Sequence, residues 1–141
     1  MLVWINGAFG AGKTQTAHEL HRRVDGSRVA DPELLGFALH KMLPPAARGD
    51  FQDLPQWRTG VVATLRDAEA AHDGPVIVPM TLVRDDYFDE IVGQLRASGV
   101  DVRHYACGRG WPTWEAAYST VTKPQRPSDR PLRVGLVRCA E

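Results

Sequence analysis

Apolar residues recur along this chain in two alternating patterns. Leu2-Val3-Trp4-Ile5 is a continuous apolar run of strand length, whereas Ala17, Leu20 and Val24 fall on one side of a helix from Lys13 to Val24. Arg22 and Arg23 suit the C-terminal dipole of that helix, and Gly26 can stop it. Arg28-Val29-Ala30 predicts a short second strand, which Pro32 brings to an end. Leu34, Phe37, Ala38 and Met42 predict a short helix closed by Pro44-Pro45, followed by a loop over 44–54. Pro55 opens a longer helix with Trp57, Val61, Leu65 and Ala68 along one stripe. Residues 75–79 (PVIVP) are too short and too β-branched for a helix and read as a buried strand. Asp85 or Asp86 caps a further helix with Phe88, Ile91, Val92 and Leu95 on its inner side, and 100–106 alternates as a fourth strand.

Strands alternating with helices in this way imply a parallel sheet covered on both faces, a three-layer α/β/α fold. The pattern holds over 1–106. From Cys107 the helical periodicity is lost, and Pro112, Pro124, Pro127 and Pro131 punctuate an Arg- and Trp-bearing tail. Residues 1–106 are therefore expected to form one domain and 107–141 an atypical tail.

The junction between the first strand and the first helix carries the chemistry. Gly7-Ala8-Phe9-Gly10-Ala11-Gly12-Lys13-Thr14 fits G-x-x-x-x-G-K-[ST] at every fixed position. Its glycines let the backbone wrap phosphate oxygens without Cβ clashes. Its N–H groups and the following helix N-terminus face the anion. Lys13 is expected to reach the β- and γ-phosphates of ATP, and the Thr14 hydroxyl to ligate Mg²⁺. No Walker-B carboxylate follows the apolar strand 76–78, which runs into Pro79-Met80-Thr81.

Asp31 stands where the second strand stops. In an open parallel sheet the ligand crevice lies beyond the carboxyl ends of the strands. There a carboxylate can take the proton of a substrate hydroxyl attacking the γ-phosphate. The same residue is also a good cap for the helix that follows, and the two roles are compatible. Phe37, Met42, Phe51 and Trp57 are candidates to line an acceptor pocket, although Phe37 and Trp57 fit a core equally well. Gln52 can read a base edge. Thr81 can position the metal or the attacking group, or simply cap a strand end. His18 and His21 are three apart with no partner at ligand spacing and read as surface residues.

Composition narrows the partners. Seventeen basic and 17 acidic residues give zero formal net charge, which argues against a general nucleic-acid binder. No apolar run approaches a membrane span and no leader pattern opens the chain. Cys107 and Cys139 form no metal or redox spacing. A cytoplasmic protein of one domain, acting on a small molecule, is the expectation; the oligomeric state is left open.

A family resemblance adds to this. The blocks MLVWINGAFGAGKTQTAHELHRRV, DPELLGFALHKM, FQDLPQW and VIVPMT resemble the tunicamycin resistance proteins, over about residues 1–106. Those are P-loop proteins with a fold like small-molecule and nucleoside monophosphate kinases. The resemblance implies ATP binding at Gly7 to Thr14 and a phosphotransferase-like site for a uridine-containing nucleoside antibiotic. A wider likeness to chloramphenicol phosphotransferase implies that Asp31 serves as base. Beyond Ala106 the family's helix, arginine-bearing lid and last strand are not matched, and Arg109, Arg126, Arg130 and Arg133 have no lid spacing. A shifted reading frame or a truncated relative would produce such a tail. The expected function is phosphotransfer to a small-molecule hydroxyl, conferring resistance. The alternatives are an ATP-gated antibiotic-capturing protein without phosphotransfer and a metabolite or nucleotide kinase.

Overall fold

The computed structural model describes residues 1–82 and 84–107. The tail expected from 107 onward, with its arginines, lies outside the described residues apart from Cys107.

Four parallel strands form one sheet in the order β2-β3-β1-β4. They are β1 (Leu2–Gly7), β2 (Arg28–Val29), β3 (Val76–Pro79) and β4 (Val102–Cys107). Helix α1 (Lys13–Arg23) follows β1, and α2 (Glu33–Met42) and α3 (Pro55–Ala70) lie between β2 and β3. After β3 the chain runs through α4 (Asp85–Phe88), a π-helical turn Asp89–Gly93 and α5 (Gln94–Ala97).

The continuous apolar run of β1 is explained by its central place. Leu2, Val3, Trp4 and Ile5 are all fully buried, because a parallel strand covered on both faces has no solvent side. Alternate residues feed separate cores. Leu2, Trp4, Val76 and Val78 pack with Trp57, Val61 and Leu65 of α3 and with Ile91, Val92 and Leu95. Val3, Ile5 and Ile77 pack with Ala17, Leu20 and Val24 beneath α1. The three-layer α/β/α architecture of the sequence reading is thus observed.

Helix α2 departs from expectation. The stripe Leu34, Phe37 and Met42 faces outward, at 66%, 51% and 82% exposure. The inner side is formed instead by Leu35, Leu39 and the buried Gly36. The cause is local: Phe51 lies on Gly36 so closely that a Cβ there would sit 2.5 Å from its ring. A glycine counts for nothing in an apolar pattern, so the apolar spacing of the sequence marks the helix but not its buried face. The 44–54 segment is also more ordered than a loop, with 3-10 turns at Pro45–Ala47 and Phe51–Asp53.

Candidate functional site

The glycine loop joins the central strand to α1. Gly7 is pressed against β4, its register partner being Cys107. A Cβ on Gly7 would stand 2.8 Å from the Cys107 carbonyl oxygen and 2.9 Å from its Cβ. Gly10 and Gly12 take φ of +76° and +82°, conformations that cost other residues steric strain. The Ala8 carbonyl turns into the loop and accepts from the Ala11 N–H at 3.2 Å and from Lys13 Nζ at 2.9 Å. Ala8, Phe9 and Gly10 form the exposed rim.

Two features suit this loop to an anion. Helix α1 begins at Gly12 with no side-chain cap and no acidic residue in its first turn. Its leading N–H groups and its positive dipole end are therefore uncompensated. Lys13 is 8% exposed, with its ammonium on one loop carbonyl and 5.6 Å from the centre of the Phe9 ring. No carboxylate pairs with it among the described residues, so a buried cation lacks its counter-charge. Thr14 is exposed on the same turn.

Asn6 was missed in the sequence. Its Oδ1 accepts from the N–H of Gly7 at 2.9 Å and of Leu82 at 2.8 Å, and its Nδ2 donates to the Leu82 carbonyl at 2.8 Å. A lone amide at the end of an apolar strand, just before the glycine loop, was the available signal.

Thr81 requires a correction. It is 2% exposed and its hydroxyl donates to the Gly7 carbonyl at 2.8 Å. It has no surface for metal or substrate; its bond holds the loop instead. Trp57 is corrected in the same way. It is fully buried in the core, with its indole Nε1 donating to the Pro32 carbonyl at 3.0 Å, and it offers no surface to a substrate.

Asp31 follows β2, and β3 lies between β2 and β1. Two strand spacings put it roughly 10 Å across the sheet end from the loop strand. Oδ1 accepts from the Glu33 N–H at 2.9 Å, so the carboxylate does cap the turn into α2. Oδ2 makes no hydrogen bond among the described residues. Asp31 and Pro32 line an apolar groove of about 380 Å³ with Leu34, Leu35, Val61 and Leu65.

Beside the groove is an aromatic cluster. Phe51 meets Trp57, His40 and Phe37 at centroid distances of 5.2, 5.7 and 6.3 Å. Of these candidates Phe37 keeps half its surface in solvent. Gln52 is 7% exposed, and its side-chain amide has no hydrogen bond among the described residues. Its backbone carbonyl accepts from Arg58 Nη1 at 2.6 Å, and Arg58 Nε pairs with Glu90 at 2.6 Å. Tyr87 is stacked between the Arg58 and Arg84 guanidinium groups, 4.4 and 4.1 Å from its ring centre. Its hydroxyl donates to Asp53, a bond that pushes the phenol above its usual range. Arg58 and Arg84 are thus both paired to carboxylates.

Among the described residues no helix is long and apolar enough to cross a membrane.

Comparison with known proteins agrees with this geometry. The family described as an AAA domain matches residues 2–134. The tunicamycin resistance protein of Deinococcus radiodurans is 39% identical with a TM-score of 0.67, over 74% of this chain and 60% of that one. The chain thus spans about 60% of that relative's length. The APS kinase CysC of Mycobacterium tuberculosis, in complex with AMPPNP and APS, is 18% identical with a TM-score of 0.56, over 98% of this chain and 89% of that one. Kti12 of Chaetomium thermophilum, in complex with ADP-AlF3, is 14% identical with a TM-score of 0.53, over 85% and 66%. These two share the fold. No match is found among curated proteins. With a glycine loop between a central parallel strand and a helix, and with 2–134 matched by the family, the chain belongs to the AAA domain family and has a P-loop kinase-like fold.

Proposed function

We propose that the protein is an ATP-dependent phosphotransferase acting on a hydroxyl of a small molecule, with tunicamycin or a related nucleoside as acceptor and resistance as the outcome. The observation that carries this reading is the buried, carboxylate-free Lys13 beside an uncapped helix N-terminus. Burying a cation without a counter-ion is costly, and a polyphosphate supplies the missing charge.

In this reading the backbone of Gly7, Ala8, Phe9, Gly10, Ala11 and Gly12 cradles the phosphates. Lys13 leaves the Ala8 carbonyl to neutralise charge on the γ-phosphate. The exposed Thr14 hydroxyl suits Mg²⁺, and the buried Thr81 does not; the bound ion would draw charge off the phosphate oxygens. Asp31 takes the acceptor's hydroxyl proton. The new oxygen–phosphorus bond forms as the bond to the β-phosphate oxygen breaks, and ADP leaves. Phe37 and Gln52 supply the acceptor side with an exposed ring and an unpartnered amide. The reading places the protein in the cytoplasm and involves no nucleic acid.

The Deinococcus relative supports the antibiotic, being named for resistance to it. The alternative is capture of the drug without phosphotransfer, in which Asp31 serves only as the cap of the Glu33 N–H. Mass spectrometry of tunicamycin incubated with protein and Mg-ATP separates the two. Gain of one phosphate is the expected result. Stoichiometric retention of unmodified drug supports capture, and neither outcome leaves a metabolite kinase.

A further inference from the structure

The central strand and its neighbour part company at the loop. Their ladder is last joined where the Met80 N–H donates to the Ile5 carbonyl at 3.1 Å. Beyond it, β1 enters the glycine loop and turns to α1 on one face. The β3 exit leads to α4, which belongs to the other face. Diverging exits of this kind create the ligand crevice of an open parallel sheet. They also leave the root of the loop, still paired with β4 on its other edge, without a partner strand on the β3 side.

Here two side chains replace the lost ladder. Asn6 acts as a surrogate peptide, bonding both the N–H and the carbonyl of Leu82 while its Oδ1 also takes the Gly7 N–H. Thr81 reaches back to the Gly7 carbonyl. Both peptide groups of the first loop glycine are therefore held by side chains, one from each exit. The Cys107 backbone closes its third side. The next carbonyl, of Ala8, is the one that parks Lys13.

We infer that Asn6 and Thr81 are positioning residues for the nucleotide: through Gly7 they fix the phosphate loop in its binding shape before any ligand arrives. This rests on reading Gly7 to Thr14 as a nucleotide loop. A preordered loop loses less conformational freedom on binding than a loose one. If the two residues merely closed the end of the sheet, removing them would lower stability and leave affinity alone. A positioning role makes affinity fall with the native fold intact.

The test is titration of a fluorescent N-methylanthraniloyl ATP with Mg²⁺, alongside thermal melting without nucleotide. Thr81→Val keeps shape and removes the donor; Thr81→Ser keeps the donor. Thr81→Val is expected to raise Kd about tenfold, the loss of one hydrogen bond's alignment. Thr81→Ser should stay within about threefold of the parent. Asn6→Ala should weaken binding further, and if it fails to fold, the threonine pair alone decides. Lys13→Ala is the control. Binding lost in Lys13→Ala but unchanged in Thr81→Val, whatever the melting temperature, overturns the positioning role alone. Equal binding by parent and Lys13→Ala, or none by the parent, overturns the loop reading and the positioning role with it.

Discussion

The indole Nε1 of Trp57 donates to the carbonyl of Pro32 at 3.0 Å, so a core side chain of α3 holds the residue immediately after Asp31. Trp57→Phe keeps most of the buried ring and removes one of the two donors to that carbonyl, the Gly36 N–H remaining at 3.4 Å, a loss of about 0.5–1.5 kcal/mol. Urea unfolding should show it. Turnover should fall beyond what the lost stability explains, because the turn that carries Asp31 loses one of its tethers. Normal turnover at a temperature where the variant is fully folded would separate the bond from the site.

Asp31 has two tasks that one pair of substitutions divides. Asn keeps an oxygen for the Glu33 N–H and cannot take a proton; Ala loses both. Asp31→Asn should abolish phosphotransfer, spare ATP binding and cost little stability. Asp31→Ala should abolish phosphotransfer and destabilise by about 1 kcal/mol, as lost caps do. Phosphotransfer retained in Asp31→Asn would remove Asp31 as the base.

Lys13→Met should behave differently again. It replaces a buried, singly bonded ammonium with an apolar chain of similar length, so the apo protein should be no less stable. Nucleotide affinity should fall about 10- to 100-fold, the worth of hydrogen bonds to a charged group. Calorimetric titration with Mg-ATP and thermal melting of the same samples test both halves.

These residues differ in how far the sequence revealed them. The loop was legible because glycine, lysine and threonine at fixed spacing encode one backbone shape. β1 was legible because a strand buried on both faces needs an unbroken apolar run. Asp31 was placed by Pro32. Thr81 and Trp57 were chemically plausible site residues, and their burial depends on which neighbours the fold brings up. Thr81 is turned inward by the Gly7 carbonyl and Trp57 by that of Pro32, contacts 74 and 25 residues apart. The outward stripe of α2 was hidden by a glycine, whose meaning appears only once Phe51 is laid on it.

His104 of β4 carries a pH dependence. Burial first, and the Arg96 charge second, depress its pKa below the usual histidine value. Its ring packs 4.7 Å from that of Phe88, and its buried Nε2 has no partner among the described residues. The unfolded chain therefore takes up a proton at a higher pH than the fold does. The contribution of His104 is complete above the unfolded value near 6.5. It declines as pH falls from there to the lower folded value. Urea unfolding between pH 5 and 8 should show this loss, and His104→Phe should remove that part of it. An unchanged pH profile in His104→Phe would count against the assignment.

Gly36→Ala tests whether the acceptor side depends on the Phe51 turn. Helix propensity favours alanine by up to about 1 kcal/mol. Sterics oppose it: the new Cβ would lie 2.5 to 2.7 Å from three atoms at the root of the Phe51 ring. That ring is wedged against Trp57 and His40, so it cannot swing aside as the end of a flexible chain could. Relief has to come from shifting the whole Phe51–Asp53 turn, which carries Gln52 and the Asp53 partner of Tyr87. Overpacking of this kind costs about 1–3 kcal/mol, so net destabilisation is expected. The P-loop lies on another segment and should keep its ATP affinity. The acceptor KM should rise while the nucleotide Kd stays put. A rise in both would mean that the turn supports the sheet end as a whole, and a rise in neither would remove Gln52 and Phe51 from the acceptor site.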